Sequence, residues 1–378
     1  MAICYQDFCK TAIEFNNLSG LMKLSDDLAQ LKVILVMTKT AVARYSCGSF
    51  VEQLEKNCNL LWISDSVAYP TQETLLMGLE RIRDFDADVI VSVGGGSSID
   101  FAKGIKAFSD LKKECTLEVI TECLVMKKIC TDNDSIRLIA VPTTAGTGAE
   151  LTQWATIWDC HKACKYSIDS PQLKPDKAII IPEFTLKADE ELTIATGVDS
   201  LAHAMEAYWS KRTNVLVRGL AGEAIRIIVK YLPQILMEPK NLYYREKQCL
   251  ASILSGLAFS MTRTTACHSI SYPLTMDYGI LHGIAAAMTL EKVAEKNSGN
   301  YAEEKELLDI FKDYGGIGGF LQSLCHGRVS FFLKDYHVKK TDIPVIAQKS
   351  FTLGRMDNNP VELNEEDVRE ILCQIYTK

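Results

Sequence analysis

The sequence is poor in the features that mark membrane, secreted and nucleic-acid-binding proteins. No run of about eighteen apolar residues occurs among its 378 residues, so no segment is expected to span a membrane. The first ten residues contain an acid, a base and two cysteines instead of an apolar leader, so we expect no secretory signal. A formal net charge of −7 argues against non-specific nucleic-acid binding, which needs a basic face.

The sequence also lacks a CxxC pair and the even cysteine count of a complete disulfide framework. Its 13 cysteines are scattered, and an odd number cannot all pair within one chain. We therefore expect free thiols and a reducing, cytoplasmic environment. Residues 160–164 (CHKAC) include metal-binding residue types. A lone cluster of this kind on a turn usually binds no metal, and we predict no site there.

What is present is an alternation of short β-branched runs and helical patterns in the first half of the chain. This repetition predicts a mostly parallel sheet wrapped by helices. After Pro182 long helical segments take over. The sequence thus predicts an α/β domain over 1–182 and a helical domain over 183–378. Predicted strands cover 31–37, 60–64, 88–93, 137–141 and 178–181, and predicted helices cover 71–85, 199–210, 216–232, 245–261, 282–296 and 302–314.

A glycine-rich loop, VGGGSSID over 93–100, joins the third predicted strand to a helix. Glycines let backbone N–H groups approach an anion closely, and a helix start adds partial positive charge. The loop is neither GxGxxG nor a Walker A motif, so the ordinary nucleotide-binding fingerprints are absent. It predicts a pyrophosphate site, with a tight strand-to-helix turn as the alternative.

A second loop, PTTAGTGAE over 142–150, follows the next predicted strand. Its hydroxyls and glycines at the carboxyl end of a strand suit hydrogen bonds to a phosphate, a ribose or a nicotinamide amide. Two such loops after neighbouring strands predict a dinucleotide-binding cleft.

Histidine is scarce, and three of the six histidines fall in one region of the helical half. Asp199 and His203 are four residues apart in a predicted helix, so their side chains leave the same face. With His268 and His282 they make one carboxylate and three imidazoles. That set is compatible with Fe(II), Zn(II) or another divalent ion, and coincidence is the alternative. The other histidines are expected on surfaces or turns: His161, His326 and His337.

Five segments of the chain carry a family resemblance: GGGSSIDFAK (94–103), VPTTAGTGAE (141–150), KYSIDSPQLKPD (165–176), GVDSLAHAMEAY (197–208) and CHSISYPLTMDYGILHG (267–283). Together they resemble the iron-containing (group III) alcohol dehydrogenases, over nearly the whole chain. The resemblance implies a dinucleotide-binding α/β domain with a parallel sheet and an all-helical C-terminal domain. It also implies an active site in the cleft between the domains, in the fold shared with dehydroquinate synthases.

The resemblance further implies roles for individual residues. The metal ligands of the family map onto one aspartate and three histidines, Asp199, His203, His268 and His282. The pyrophosphate loop maps onto Gly94, Gly95, Gly96 and Ser97, with Asp100 close by. The family's TT-x-GTG segment maps onto Thr143, Thr144 and Thr147. A family lysine near the cofactor ribose matches Lys165.

Two positions depart from the family pattern. Many members carry a histidine four residues after the third metal ligand, near the nicotinamide, where this chain has Tyr272. A tyrosine can donate a hydrogen bond, but its pKa of about 10 makes it a poorer proton shuttle at neutral pH. Members that prefer NAD often have an acid after the first strand. Here Thr38 stands beside Lys39, so we expect NADP(H) to be tolerated or preferred.

Residues 263–275 and 355–360 resemble the phosphonoacetaldehyde reductases of the family. Arg263 could grip a phosphonate or carboxylate with its planar fork, and a structural ion pair is an equal alternative. The predicted reaction is hydride transfer between NAD or NADP and a small aldehyde, with Fe2+ or Zn2+ as a Lewis acid. The specific case would be phosphonoacetaldehyde reduced to 2-hydroxyethylphosphonate. The residues predicted to act in the reaction are Tyr272, His268 and Arg263.

Three alternatives stay open at this point. The chain could use NAD transiently as a lyase, as the similar dehydroquinate synthases do. It could act on neutral aliphatic alcohols, or it could bind cofactor without catalysis. In each case we expect a small-molecule ligand, a homodimer, and no nucleic-acid or membrane partner.

Overall fold

The structure is a computed structural model that describes residues 9–65, 70–129, 136–159, 164–325, 327 and 329–377. Residues 160–163 and His326 lie outside the described residues. The predictions for the CHKAC segment, for His161 and for His326 therefore stay predictions. His337 is exposed and follows a short 3-10 helix, Leu333–Tyr336.

The first half of the chain is built on a parallel sheet. The strands are β1 (Ala12–Phe15), β2 (Lys32–Val36), β3 (Asn59–Ile63), β4 (Val89–Gly94), β5 (Arg137–Pro142), β6 (Trp154–Asp159), β7 (Cys164–Asp169) and β8 (Lys177–Ile180). Within the described residues, six strands pair in the order β1-β8-β5-β4-β2-β3, all parallel, and β6 and β7 form an antiparallel hairpin. Because helices cover both faces of such a sheet, β4 is an apolar run buried along its whole length. The predicted parallel sheet is confirmed.

Helices pack on both faces of this sheet. They are α1 (Leu18–Asp27), α2 (Lys39–Arg44), α3 (Gly48–Asn57), α4 (Gln72–Ile82), α5 (Gly96–Phe108), α6 (Leu117–Val125) and α7 (Pro182–Thr185). Successive strand residues point to opposite faces, so Ile34 packs in the cluster that contains α4 and α5 side chains. Its neighbour Leu35 packs in the opposite cluster, with side chains of α1 and α3. Both faces of the sheet are therefore core.

Beyond Lys187, the described residues contain helices and no strand. These are α8 (Glu190–Trp209), α9 (Val215–Met237), α10 (Leu242–Thr262), α11 (Ala266–Tyr278), α12 (His282–Ala287), α13 (Leu290–Asn297), α14 (Glu304–Asp309), α15 (Ile317–Ser323), α16 (Ile343–Lys349) and α17 (Glu365–Gln374). Asp189 caps α8 through the N–H of Leu192, as an N-terminal aspartate favours. The predicted helical second half is confirmed.

Three details of the helical half differ from the sequence prediction. The helix predicted over 302–314 is α14 followed by a separate 3-10 helix, Lys312–Tyr314. The segment before His282, for which no helix is predicted, forms α11, even though it contains Pro273 and several Ser and Thr residues of low helix propensity. Burial of side chains such as Ile270 and Leu274 stabilises it. The single helix predicted over 282–296 is instead two. Thr289 interrupts it, and its hydroxyl donates to the carbonyl of Ala286 at 3.1 Å.

The described chain forms two compact units. One contains the chain up to Thr144 together with Ala149–Lys187, and the other contains Ala145–Gly148 together with Ala188–Lys378. The short segment Ala145–Gly148 packs with the helices because its glycines allow close approach. A Cβ atom on Gly146 would lie 2.7 Å from the carbonyl oxygen of Thr196 in α8. The predicted boundary at residue 182 lies at the start of α7, and the division into folding domains stays a prediction.

Two expectations about partners bear on the fold. Each helix among the described residues is either too short or too polar to span a lipid bilayer. β1 forms one edge of the six-stranded sheet, with Phe15 47% exposed. The homodimer stays a prediction.

Candidate cofactor and metal sites

The glycine loop lies where β4 turns into α5. Gly94 ends the strand, and Gly95 precedes the first helical residue, Gly96. A Cβ atom on Gly94 would lie 2.5 Å from the Cβ of Ser98, so no side chain fits there. Because residue 95 is glycine, it places no side chain over the first turn of α5. The N–H groups of that turn and the positive end of the helix suit a phosphate.

Three neighbouring strands place the other predicted cofactor residues at the same edge of the sheet. The N–H of Thr143 donates to the carbonyl of Gly94 at 2.9 Å, which holds the two loops side by side. Thr144 Oγ1 lies 3.6 Å from the position that a Cβ on Gly95 would take. Thr38 follows β2, where its hydroxyl accepts from the N–H of Ala41 and caps α2. The carboxyl edge of parallel strands is where α/β sheets bind ligands.

Asp100, Lys165 and Thr147 are the other residues predicted to contact the cofactor. Asp100 Oδ2 accepts from the N–H of Thr156 at 3.0 Å and so ties α5 to the β6–β7 hairpin. Removal from water raises the pKa of Asp100 to about 6, although Lys103, that N–H and Lys165 act to lower it. Thr147 belongs to the helical unit. The cofactor contacts predicted for these three residues stay predictions.

Lys103 is a supporting residue that the sequence analysis missed. It is fully buried in α5, and its Nζ donates to the carbonyl of Ala149 at 2.7 Å, Thr152 Oγ1 at 3.1 Å and the carbonyl of Trp154 at 2.9 Å. Burial lowers its pKa to about 8, against the opposing charge of Asp100. It anchors the helix that starts at the glycine loop. The sequence signal that could have identified it is a lysine among apolar neighbours in a segment expected to be a buried helix.

The predicted metal ligands come together in the helical unit. Asp199 lies on α8, His268 on α11 and His282 at the start of α12, and their ligand atoms all lie within 4.8 Å of one another. His268 Nε2 is 3.5 Å from Asp199 Oδ1. His203 Nδ1 is 4.0 Å from the same oxygen, and its ring stacks on that of His268 with centroids 4.4 Å apart. His203 is thus adjacent to the group of three, and its predicted place as a fourth ligand stays a prediction.

Three buried atoms in this cluster have no hydrogen-bond partner: Asp199 Oδ1, His203 Nδ1 and His268 Nε2. Burying a polar atom without a partner costs about 1–3 kcal/mol of folding free energy. Three such atoms close together therefore indicate a binding site for a group that they contact. One carboxylate oxygen with imidazole nitrogens is a donor set for Fe2+ or Zn2+. The residues present therefore fit the metal of the predicted family.

The electrostatics of the cluster keep Asp199 ionised. Burial raises its pKa, but His203, His268 and His282 outweigh this and lower it to about 2. Burial lowers the pKa of His203 to about 4 despite Asp199, so this imidazole is neutral and its nitrogen lone pair is available. Burial also lowers the pKa of His268, but Glu206 and Asp199 outweigh this effect and raise that pKa to about 10. A divalent cation would take the place of one His268 proton.

Gly283 lets α12 approach α8 closely enough to bring His282 to Asp199. A Cβ atom on Gly283 would overlap the carbonyl oxygen of Ala195 and lie 2.7 Å from the Cβ of Asp199. Tyr272 lies next to His282. Their rings are nearly parallel, 7° apart, with centroids at 5.9 Å. The phenol that replaces the expected histidine is thus adjacent to a predicted ligand.

Arg263 lies in the turn after α10, at a backbone conformation that favours glycine, with φ 65° and ψ 175°. Buried Asn358 holds this turn, because its Nδ2 donates to the carbonyls of Thr262 at 2.8 Å and Thr264 at 3.0 Å. Arg263 Nη1 lies 3.2 Å from where a Cβ on Gly354 would be. Asn358 belongs to the segment 355–360 that the sequence analysis singled out without a role.

Glu206 is the second residue that sequence reasoning missed. It is fully buried on α8 and accepts from Thr265 and His268. A signal was present, since positions 199 and 206 are about two helical turns apart and share a face. An acid at that spacing from Asp199 was a candidate neighbour of the metal site.

Comparisons with known proteins agree with this geometry. The sequence profile of the iron-containing alcohol dehydrogenases matches residues 11–182, and that of the C-terminal part of the Fe-containing alcohol dehydrogenase family matches 193–323. The chain is 31% identical over 325 residues to 1,3-propanediol dehydrogenase of Citrobacter freundii, with 81% of each chain covered. The chain belongs to the iron-containing alcohol dehydrogenase family.

Two further similar proteins are reductases of two-carbon aldehydes, by their names. This chain is 30% identical over 317 residues to phosphonoacetaldehyde reductase of Streptomyces viridochromogenes, with 80% of each chain covered. The crystal structure of sulfoacetaldehyde reductase from Bifidobacterium kashiwanohense in complex with NAD+ is similar, with a TM-score of 0.88, 27% identity and 99% of each chain covered. The predicted family and the class of NAD(P)-dependent oxidoreductase are confirmed.

Substitution of Gly95 tests the predicted phosphate site, and substitution of the neighbouring Gly94 is the control. We expect Gly94→Ala to cost about 1–3 kcal/mol of folding free energy, because its Cβ collides with Ser98. Gly95→Ala has room for its Cβ, so stability should hold while NADH affinity falls about tenfold. Thermal unfolding and fluorescence titration with NADH measure the two effects. Unchanged NADH affinity in Gly95→Ala would place the pyrophosphate elsewhere.

Gly283→Ala should displace His282 and reduce metal binding. We expect a loss of about 1–3 kcal/mol in stability and a lower zinc content after dialysis, measured by elemental analysis. Gly219→Ala in α9 is the matched control. A Cβ there meets nothing within 4 Å, so it should stabilise the helix by about 0.5–1 kcal/mol and keep the metal. Full zinc retention in Gly283→Ala would argue against His282 as a ligand.

Proposed function

We propose that this protein reduces a short aldehyde that carries an anionic group, such as phosphonoacetaldehyde, with NADH or NADPH. The observation that carries the proposal is Arg263, held in a strained turn five residues before the predicted ligand His268. Strained residues of this kind persist where the surrounding structure over-determines them, and they concentrate at functional sites. A guanidinium recognises phosphonate and sulfonate oxygens through paired hydrogen bonds.

The names of the relatives support the same substrate class. Phosphonoacetaldehyde reductase and sulfoacetaldehyde reductase are both named for two-carbon aldehydes with an acid group. 1,3-Propanediol dehydrogenase is named for an uncharged alcohol, and it is 31% identical. Reduction of neutral aliphatic aldehydes is therefore the second candidate function. A lyase that uses NAD transiently would consume no NADH, so net NADH turnover separates it from both.

In this proposal Asp199, His203, His268 and His282 hold Fe2+ or Zn2+. The cofactor lies on the glycine loop, flanked by Thr38, Thr143 and Thr144. When bound, the cation supplies a Lewis acid for the substrate carbonyl oxygen and the nicotinamide supplies the hydride. Asp199 stays ionised and offers its unpartnered Oδ1 to the cation.

Tyr272 is proposed to move the proton that the reduced carbonyl oxygen needs. Its ring is half-buried and nearly parallel to that of His282, with centroids 5.9 Å apart, which supports a role for the phenol near the predicted metal site. Water or a ribose hydroxyl is the other route for that proton. We also propose a cytoplasmic location, because every cysteine whose side chain the structure describes is a free thiol.

Arg263→Ala tests the anionic substrate. Alanine meets the same backbone strain as arginine at this φ, so the variant reports the guanidinium alone. We expect kcat/KM for phosphonoacetaldehyde to fall about 10- to 100-fold, since hydrogen bonds to charged groups contribute about 1.5–3 kcal/mol. Propanal turnover should change by less than about twofold. NADH oxidation at saturating zinc measures both.

Arg226→Ala, an exposed arginine paired with Glu223, is the control for a general loss of surface charge. Equal losses for both aldehydes in Arg263→Ala would mean that Arg263 forms a structural ion pair. No loss for either would leave the neutral aldehyde reductase as the function.

Lys39 tests cofactor preference. It is the exposed first residue of α2, directly after Thr38. We expect wild type to accept NADPH, and Lys39→Glu to lower kcat/KM for NADPH about tenfold with little change for NADH, because an acid repels the 2′-phosphate. Lys56→Glu, in the last turn of α3, controls for the charge change. Equal effects on both cofactors would contradict a 2′-phosphate contact at this position.

A further inference from the structure

We propose that Glu206 is a positioning residue of the metal site, which holds His268 in the tautomer that leaves Nε2 free to bind the cation. The inference rests on Asp199, His268 and His282 as metal ligands, and it does not depend on which aldehyde is reduced. It concerns a buried acid that neither coordinates the predicted metal nor reaches the cofactor loop.

The two oxygens of Glu206 have different partners. Oε1 accepts from the N–H of Thr265 at 2.9 Å, the hydroxyl of Thr265 at 2.8 Å and the N–H of His268 at 3.2 Å. Oε2 is in short contact with His268 Nδ1. The donors on Oε1 are those that an ionised carboxylate attracts. An ionised carboxylate only accepts, so the hydrogen between Oε2 and the ring belongs to Nδ1.

The same carboxylate also caps α11. Thr265 immediately precedes this helix and gives it no side-chain cap, so the N–H groups at the helix start need another acceptor. Glu206 reaches them from α8, and its negative charge is favourable at a helix N-terminus. Trp209 Nε1 donates to the Thr265 hydroxyl at 3.0 Å and fixes the rotation of that group. Glu206 is therefore immobilised before any metal binds.

This arrangement determines which nitrogen of His268 is available. With hydrogen on Nδ1, the neutral ring carries its lone pair on Nε2. Nε2 is buried, lies 3.5 Å from Asp199 Oδ1 and has no hydrogen-bond partner. Metal-bound histidines commonly donate their second N–H to a carboxylate, which fixes the tautomer and the ring orientation. The geometry here matches that pattern in a site built from this chain's own residues.

Glu206→Gln separates tautomer control from folding. The amide oxygen can still accept the three bonds to Thr265 and His268, so the cap on α11 is retained. The amide NH2 cannot accept from Nδ1–H, so His268 must move its hydrogen to Nε2, the atom that faces the other ligands. We expect zinc affinity of the apoprotein to fall about 10- to 100-fold, measured by competition with a chromogenic chelator. The thermal unfolding midpoint without metal should stay near that of wild type.

Glu223→Gln, an exposed acid on α9, is the matched control and should bind zinc as wild type does. Nitrogen NMR of histidine-labelled wild-type protein gives a second measurement that needs no stable variant. With zinc bound, we expect His268, assigned through His268→Gln, to carry hydrogen on Nδ1 and metal on Nε2. Zinc on Nδ1, or wild-type zinc affinity in a folded Glu206→Gln protein, would overturn the proposal. Neither measurement depends on aldehyde turnover, so both can be interpreted even if the enzyme reduces no aldehyde.

Discussion

The interior of the helical unit contains polar atoms that ordinary packing cannot satisfy. Asp199, His203 and His268 bring one oxygen and two nitrogens into a region closed to water, where they have no hydrogen-bond partners. Each such atom costs about 1–3 kcal/mol while it is unpaired. The surrounding helices must therefore be fixed by other contacts. Gly283 allows α12 to pack closely against α8. The carboxylate of Glu206 on α8 accepts hydrogen bonds from the start of α11.

The sheet unit prepares for its ligand by a different physical device. At the carboxyl edge of β4 the predicted binding groups are backbone N–H groups. Gly95 places no side chain over them, and Gly94 makes room for Ser98. The helix that presents them is anchored by buried Lys103, whose Nζ donates to three neutral oxygens. One unit thus offers unsatisfied side-chain lone pairs and the other offers uncovered backbone donors.

In the proposed function, selection of an anionic aldehyde draws on a third kind of feature, a backbone held away from its preferred conformation. Metal and nicotinamide chemistry are shared across the family, so they do not distinguish an anionic aldehyde from a neutral one. The turn at Arg263 is held by Asn358, which is in turn held by the hydroxyl of Ser210. Restraint from two separate parts of the chain is what allows arginine to occupy a conformation that glycine would adopt more readily.

The sequence by itself determined the α/β first half with its parallel sheet, the helical second half, the glycine loop and the residue types of a metal site, because periodicity and glycine spacing are local properties. It did not reveal α11, whose Pro273 and hydroxyl residues suggest no helix until burial stabilises one. The role of Glu206 was also hidden, since it joins residues 59 and 62 positions away in the chain. Only the tertiary structure decides which buried charge meets which donor, because those partners are chosen by packing between distant segments.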